Sequence, residues 1–292
     1  MRHIPYKFQL LIGFVLTISL GGCDKGNDSA QQQTFDTALK VCLMPDDLPR
    51  ASKNSSRGFD YDLGRILARQ LEKNFVPVWL PPPDRSEVEA SDLDLSYLQR
   101  GTCDLMFSVP GAEAIRGMES MLVLSEPYYG SAYELIPEGD VDLLHPDKNK
   151  TIAVKFNALS HYAVDQLGWN WTMKKSDDEI IEAVRSGAAD YGLIWGPDLA
   201  ELSLKNLQSS QENAEYSQTF SHPDFLSWNQ HVVLARENTT LLNKINRQLS
   251  VLQNDGTIED LLRQYQIPSH PPFEKVFSKA LLKNLESNTE SH

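Results

Sequence analysis

Several polar and aromatic side chains follow predicted strands, where ligands of α/β sheets bind. Trp195 ends the strand in DYGLIWGPD, Arg50 lies after the first predicted strand, and Asn157 and Ser160 follow a later one. Ligands of open α/β sheets lie outside the carboxyl ends of the strands, and helix amino termini there attract anions. These positions predict a binding crevice in which Arg50 meets an anion and Trp195 meets an apolar, planar or cationic group.

Each of these residues also has an ordinary structural explanation, and the sequence leaves both open. Trp195 could pack between the two halves of the protein without touching a ligand. Asn157 and Ser160 could cap the helix that begins there, and Arg50 could be a solvated surface residue. The same holds for Tyr128, because aromatic residues of a strand usually pack in the core.

Catalytic and metal-binding motifs do not stand out. The seven histidines are scattered, and the chain has no H-E-x-x-H, G-x-S-x-G, P-loop or C-x-x-C motif. We therefore expect no enzyme activity, no metal and no cofactor. A formal net charge of −13 argues against nucleic acid or an anionic membrane surface as a partner, and it would suit a basic protein.

The first 22 residues predict export from the cytoplasm. Arg2 and Lys7 precede a mostly apolar run at 8–20, which is short for a membrane-spanning helix and typical of a secretory signal. The run ends in LGGC, and small residues before a cysteine resemble the lipobox of bacterial lipoproteins. That resemblance implies a signal peptide at 1–22 and a lipid on Cys23. An ordinary signal peptide with an incidental Cys23 is the alternative.

The residues after the signal predict a periplasmic protein tethered to a membrane. Asp24 resembles the inner-membrane retention signal of enteric lipoproteins. Residues 23–37 contain Asn, Ser and three Gln, a composition typical of a flexible tether. No later segment is apolar enough to span a membrane. We expect a monomer that the lipid alone holds at the membrane.

Two further cysteines form a disulfide candidate. Cys42 lies in LKVCLMP and Cys103 in GTCDLMF, and both segments predict buried strands. Outside the cytoplasm an even pair is expected to form a disulfide, although two free buried thiols are the alternative. The bond would close a loop of about 60 residues, worth roughly 4 kcal/mol in the chain-entropy model.

The rest of the chain alternates predicted strands and helices. The first unit has strands at 39–44, 76–80 and 103–109 and helices at 61–72 and 93–99. A second unit of the same kind begins at Thr151. Such alternation predicts an α/β fold with parallel sheets. Strands at 128–135 and 230–235 would cross between the units, and two final helices would return to the first.

Five motifs in this order resemble solute-binding protein family 3, the amino-acid-binding family. They are GFDYDLGRILARQL, GTCDLMFSVP, LSEPYYGSAYELI, AVRSGAADYGLIWGP and the segment from VVLAREN to LLRQY. The resemblance implies a two-lobed type II periplasmic binding fold, with a cleft between lobes that two crossing strands join. It places lobe 1 at 38–130 and 231–268 and lobe 2 at 131–230. An amphipathic extension at 269–292 follows, in which Phe273 would begin a helical stripe.

The resemblance also bears on the ligand. In the family an Arg binds the ligand carboxylate shortly before an FS-x-PY element, and an Asp before S-P binds the ammonium. Here LSEPYY matches the first element, but Arg116 lies about two residues further away, so it is either displaced or simply solvated. Gly196-Pro197 match the second element and put Trp195 at the position of the Asp. The candidate ligand-binding residues are Asp46, Arg50, Pro110, Arg116, Tyr128, Asn157, Ser160 and Trp195.

A narrower resemblance joins LKVCLMPDDLP, SEPYYGSAYELI and LIWGP to the family branch encoded beside quinoprotein alcohol dehydrogenases. Two functions are thus implied. In the first, a lipid-anchored protein binds a small polar solute in the cleft and delivers it to an ABC permease. In the second, the protein is an accessory of a quinoprotein dehydrogenase and its cleft is degenerate. A periplasmic dehydratase on the same fold is a remote alternative.

Overall fold

A computed structural model describes residues 37–81, 94–137, 141–200 and 226–276. Its strands are β1 Ala38–Leu43, β2 Asp46–Asp47, β3 Ala51–Ser52, β4 Asn74–Trp79, β5 Leu105–Pro110, β6 Leu122–Leu124, β7 Tyr129–Ile136, β8 Thr151–Lys155, β9 Asn170–Lys174, β10 Tyr191–Trp195 and β11 Ser227–Ala235. The predicted signal peptide, Cys23, Asp24 and most of the tether lie outside the described residues.

The helices lie where the apolar period predicts them. They are α1 Phe59–Gln70, α2 Ser96–Gln99, α3 Leu159–Gln166, α4 Asp177–Arg185, α5 with described residues 196–200, α6 Thr239–Asn254 and α7 Thr257–Gln264. The start of α4 shows the sequence signal directly, because the Ser176 hydroxyl accepts a hydrogen bond from the Glu179 N–H at 3.3 Å. The Glu179 carboxylate in turn accepts from the Lys175 N–H at 2.9 Å, so two donors of the first turn are satisfied.

The main sheet consists of two parallel groups joined by two antiparallel strands. The strand order is β4-β1-β5-β11-β7-β10-β8-β9, with β6 paired to β11. The group β4-β1-β5 belongs to lobe 1, and the group β10-β8-β9 belongs to lobe 2. Strands β11 and β7 pair with each other and reach into both groups. The predicted α/β class and the two-lobed type II architecture with two crossing strands are therefore confirmed.

The two lobes have separate apolar cores. In lobe 1, Leu63 and Leu67 of α1 pack with Leu39 and Val41 of β1, and all four are fully buried. In lobe 2, Ile152 and its neighbours on β8 pack against α3. Burial of one such aliphatic side chain stabilises a fold by roughly 1.5–3 kcal/mol. The lobe boundaries inferred from the family resemblance stay a prediction.

A disulfide joins Cys42 of β1 to Cys103, two residues before β5, across a Cα–Cα distance of 5.6 Å. The predicted pair is present because β1 and β5 are parallel neighbours, with Cys42 opposite Met106. The described residues include no helix long and apolar enough to cross a membrane. The described part of the extension, 269–276, is not helical, so Phe273 does not begin a helical stripe.

Candidate functional site

Three aromatic side chains form a cluster at one edge of lobe 2. The ring centroids of Tyr133 and Trp195 are 5.4 Å apart, and those of Trp195 and Trp228 are 5.2 Å apart in an edge-to-face arrangement. Tyr133 and Trp228 complete the triangle at 6.1 Å. These separations are those of packed aromatic pairs, so the rings contact one another. We call Tyr133, Trp195 and Trp228 the aromatic cluster.

Strand pairing explains why the cluster lies beside the strands that cross between the lobes. Trp195 is the last residue of β10 and lies opposite Tyr133 of β7. Tyr133 comes directly after the four residues of β7 that pair with β11, and Trp228 is one of their β11 partners. The carboxyl end of β10, with Trp195, therefore meets the junction between the lobes, and the role of Trp195 as a ligand-binding residue stays a prediction.

The Tyr133 hydroxyl lies at the amino end of α3. Burial, followed by the nearby carboxylates of Asp198 and Asp177, raises the pKa of this hydroxyl, whereas a hydrogen bond from the Ser160 N–H opposes the rise. The side chain of Ser160 is fully buried and also hydrogen-bonds the Tyr133 hydroxyl, which opposes the rise as well. The Ser160 N–H belongs to the first turn of α3, where backbone donors have no acceptor within the helix. It donates to the Tyr133 hydroxyl instead, and Ser160 therefore lies next to the aromatic cluster.

Charges at this edge of lobe 2 are paired. Lys155, the last residue of β8, lies 2.6 Å from an Asp177 oxygen and 3.7 Å from an Asp198 oxygen.

Asn157 has a left-handed backbone, with φ of 57°, and its side-chain oxygen accepts a hydrogen bond from the Tyr162 hydroxyl at 2.5 Å. Asn157 therefore shapes the loop between β8 and α3.

The second group of polar side chains lies at the carboxyl edge of lobe 1. Arg50 forms an ion pair with Asp47 at 2.9 Å. Asp60 is only 6% exposed, and its side-chain oxygen accepts a hydrogen bond from the Ser108 hydroxyl at 2.7 Å. Burial raises the pKa of Asp60 to about 7, although the Arg50 charge and the Ser108 hydrogen bond both lower it. A carboxyl with such a pKa titrates near neutrality.

Tyr128 supports this group from within the core. Its hydroxyl accepts a hydrogen bond from the Ser108 N–H at 2.9 Å, and its ring is buried beside Phe59 and Phe107. Ser108 needs that support because its φ of 56° lies in the left-handed region, which is costly for a residue with a side chain. Tyr128 therefore positions Ser108 and lies in the core rather than at an open surface.

The remaining candidates are spread over lobe 1. Pro110 ends β5 opposite Gln230 of β11, so it lies at the junction between the lobes. Asp46 is exposed in the short β2–β3 hairpin. Arg116 is 62% exposed and forms an ion pair with Glu113 on the preceding 3-10 turn. Of the two readings of Arg116, the structure therefore favours the solvated loop residue over the displaced carboxylate ligand.

The sequence alone does not reveal several residues of these groups. Asp60 has the pattern of an ordinary acidic residue in the first turn of a helix, and its contact with Ser108 spans 48 positions. Tyr133 and Trp228 lie on strands in which aromatic residues are common. Successive side chains of β7 point to opposite faces of the sheet, so the sequence does place Tyr133 on a different face from its immediate neighbours. This is a weak signal for its role in the site.

The fold is that of the type II periplasmic binding proteins. The L-cystine solute receptor of Neisseria gonorrhoeae, in its unliganded open conformation, matches with a TM-score of 0.63 and 15% identity over 82% of this chain and 96% of that chain. An ancestral cationic amino acid solute binding protein matches with a TM-score of 0.55 and 20% identity, over 78% and 95%.

A third structure of the same fold is MxaJ from Methlophaga aminisulfidivorans MPT. It matches with a TM-score of 0.54 and 21% identity over 79% of this chain and 99% of that chain. No protein-family model matches the chain, and no curated protein matches it. These structural neighbours agree with the type II periplasmic binding fold that the sequence motifs imply.

Proposed function

We propose that this protein is a periplasmic solute-binding protein that binds a small polar solute between its lobes and serves an ABC-type uptake system. The observation that carries the proposal is the aromatic cluster, which lies beside Ser160 where the carboxyl end of β10 meets the crossing strand β7. A crevice at this edge of an α/β sheet is the usual place for a ligand. Structural neighbours named as solute receptors support the same class.

The location belongs to the proposal as well. Cleavage before Cys23 and a lipid on that residue would hold the protein on the periplasmic side of a membrane, and Asp24 favours the inner membrane. A flexible tether would let a monomer reach a permease in the same membrane. We propose no catalytic residue, metal or cofactor.

Solute titration followed by tryptophan fluorescence and calorimetry tests this proposal. The expected result is saturable binding of one solute class, weakened at least tenfold by Trp195→Ala. Trp171→Phe is the matched control, because Trp171 packs against His161 on the α3 face of lobe 2 and hydrogen-bonds Asp165. A solute bound equally well by the wild type and by Trp195→Ala would contradict the site.

A second function has its own supporting observation. Both arginines that could meet a ligand carboxylate already have an acidic partner, Asp47 for Arg50 and Glu113 for Arg116, and the rings of the aromatic cluster contact one another. Such a cleft suits a protein whose ligand is another protein. The sequence resemblance to the family branch encoded beside quinoprotein alcohol dehydrogenases, together with the fold similarity to MxaJ, supports a quinoprotein dehydrogenase as that partner.

Co-purification with a quinoprotein dehydrogenase at two salt concentrations tests the second function. The acidic charge of the chain predicts a complex at about 50 mM salt that weakens at several hundred millimolar, because salt screens the attraction between oppositely charged surfaces. Failure to form a complex at low salt would exclude it. Permease and ATPase genes beside the gene would favour uptake, whereas dehydrogenase and cytochrome genes would favour the accessory role.

A further inference from the structure

The two lobes are joined by a short ribbon of two strands. Residues 129–132 of β7 pair with residues 227–230 of β11. Beyond the ribbon, β11 pairs with β5 of lobe 1, and β7 pairs with β10 of lobe 2. A change in the angle between the lobes must therefore be absorbed by the ribbon or by its ends, as in hinge closure around a ligand.

The chain after α7 runs across this ribbon. We call residues 267–276 the strap. It starts in lobe 1, where Ile267 is fully buried in the apolar core. The His270 carbonyl then accepts a hydrogen bond from the Gly130 N–H of β7 at 2.9 Å. The strap thus contacts the first of the two ribbon strands.

Phe273 fastens the strap to the second ribbon strand. The Phe273 N–H donates to the Asn229 side-chain oxygen at 2.7 Å, and the Asn229 amide donates to the Phe273 carbonyl at 3.0 Å. One side chain of β11 therefore holds both backbone groups of a strap residue. The Ser227 hydroxyl adds a longer hydrogen bond of 3.5 Å to the Lys275 carbonyl.

Gly130 permits the close approach of the strap. A Cβ atom at this position would lie 2.5 Å from the Phe273 ring and 2.7 Å from the Pro271 carbonyl oxygen. Contacts of that length do not occur, so any other residue would push the strap away from the ribbon or distort β7. Gly130 lies in a β-strand, whose backbone conformation does not itself require glycine. The close approach of the strap explains why glycine stands at this position.

The strap also holds lobe 2. The His270 ring nitrogen Nε2 lies 2.7 Å from the Glu134 carboxylate, and Glu134 is 0% exposed on the part of β7 that pairs with β10. The same carboxylate faces Gly196, where a Cβ would lie 3.2 Å from the Glu134 oxygen Oε1. Because the strap is rooted in lobe 1 at Ile267 and bound to lobe 2 at Glu134, it spans the hinge.

We propose that the strap is a latch across the hinge, which holds the lobes at one angle and must shift when that angle changes. The His270–Glu134 contact and the Asn229 clamp on Phe273 would bias the equilibrium between open and closed arrangements. A ligand or partner would have to overcome this bias, whichever of the two proposed functions holds. The proposed latch therefore does not depend on which ligand or partner the protein binds.

Distance measurements between the lobes test the latch in the full-length chain carrying Cys23→Ser. Spin labels at Val251→Cys on α6 and Glu182→Cys on α4 report the separation of the lobes, since both side chains are exposed and the two other cysteines are bonded to each other. We expect His270→Ala and Asn229→Ala to broaden or shift the distance distribution, and Gly130→Ala to do the same if it folds. Ile258→Val, a core change in α7 that removes none of the hydrogen bonds of the strap, is the control that lowers stability.

Two outcomes would overturn the latch. One is a distance distribution in His270→Ala and Asn229→Ala that coincides with that of the background chain. The other is a change that Ile258→Val reproduces at the same loss of melting temperature, because the strap would then contribute only to stability. A shift confined to the strap variants supports the latch even where no solute is bound.

Discussion

At the scale of single residues, the charges near the predicted cleft are more informative than the aromatic rings. An amino acid brings one carboxylate and one ammonium, and each needs an opposite charge that is free to pair with it. Arg50 and Arg116 each have a carboxylate partner within their own loop. The position that the family resemblance assigns to the ammonium-binding Asp holds Trp195, whose ring is packed against Tyr133 and Trp228.

We predict that common L-α-amino acids bind only weakly, with dissociation constants in the millimolar range. Loss of one partner of a buried charge pair costs on the order of 2–5 kcal/mol. Since about 1.4 kcal/mol changes a dissociation constant tenfold, that cost weakens binding by roughly 30-fold to several thousand-fold. Calorimetry against the twenty amino acids measures it. One dissociation constant below about 10 μM would show that another carboxylate, such as Asp46 or Asp198, takes over the role.

The buried carboxyl of Asp60 predicts a pH dependence of stability. Its pKa is about 7 in the folded state, against 3.8 as the ordinary value. Between these values the folded state keeps a proton that the unfolded chain has lost, so the free energy of unfolding falls as the pH rises through the window. The Asp60→Asn variant should remove a decline on the order of 3 kcal/mol between pH 4.5 and pH 8, as measured by urea unfolding.

Asp190→Asn serves as a control carboxyl whose pH dependence has the opposite sign and lies below pH 4.5, so it should leave the slope between pH 4.5 and pH 8 unchanged. A hydrogen bond from Lys150 lowers the pKa of Asp190, so its charged form favours the folded state and its contribution is lost as the pH falls through that pKa. If Asp60→Asn and the wild type showed the same pH dependence, Asp60 would be ionised throughout and Arg50 would be its effective counter-ion.

Residue types predict chemistry well only where the partners are close in sequence or belong to a known motif. The disulfide followed from two cysteines in a chain predicted to be exported, and Trp195 at the end of a strand followed from periodicity. Asp60 with Ser108 and His270 with Glu134 are separated by 48 and 136 positions. No local pattern links such pairs, because the fold alone brings them together.

At the scale of elements, the apolar period located the strands and helices, and turn chemistry was the weaker guide. The strand predicted at 151–155 is β8 itself, and α4 begins at its Ser176 cap. Gly196-Pro197 predicts a turn with a helix from Asp198, yet the chain is helical from residue 196. Proline fits the first turn of a helix because the N–H that it lacks has no intrahelical partner there.

The bond between β1 and the start of β5 predicts a large stability difference between oxidised and reduced protein. The disulfide closes a loop with a sequence separation of 61, and the chain-entropy model gives roughly 4 kcal/mol for a loop of that length. The double variant Cys42→Ala/Cys103→Ala should unfold at a lower urea concentration than the oxidised wild type. Reduced wild-type protein is the control for lost side-chain packing, and equal midpoints for oxidised and reduced protein would refute the prediction.

At the scale of the whole molecule, the order of elements determines how the lobes are connected. Two α/β units in series, with β7 leaving lobe 1 and β11 returning to it, are joined within the sheet of the described residues by a two-stranded ribbon. The sequence predicted both crossing strands from their apolar runs. It did not predict the strap, because the apolar spacing from Phe273 onward favours a helical stripe, and the strap instead contacts residues of distant strands such as Asn229 and Glu134.

The amino-terminal residues predict that the protein remains attached to a membrane. Removal of 1–22, which hold two basic and no acidic residues, changes the formal charge from −13 to about −15, so an anionic bilayer would repel the mature chain rather than attract it. A single acyl chain binds a membrane marginally, whereas several chains on one residue anchor it stably. We therefore expect wild-type protein in the membrane fraction with an acylated Cys23 by intact-mass analysis, and Cys23→Ser in the soluble periplasmic fraction.

Resistance of the wild type to extraction with high salt separates a lipid anchor from electrostatic binding. A mature wild-type chain that is unmodified and starts at another residue would contradict the prediction.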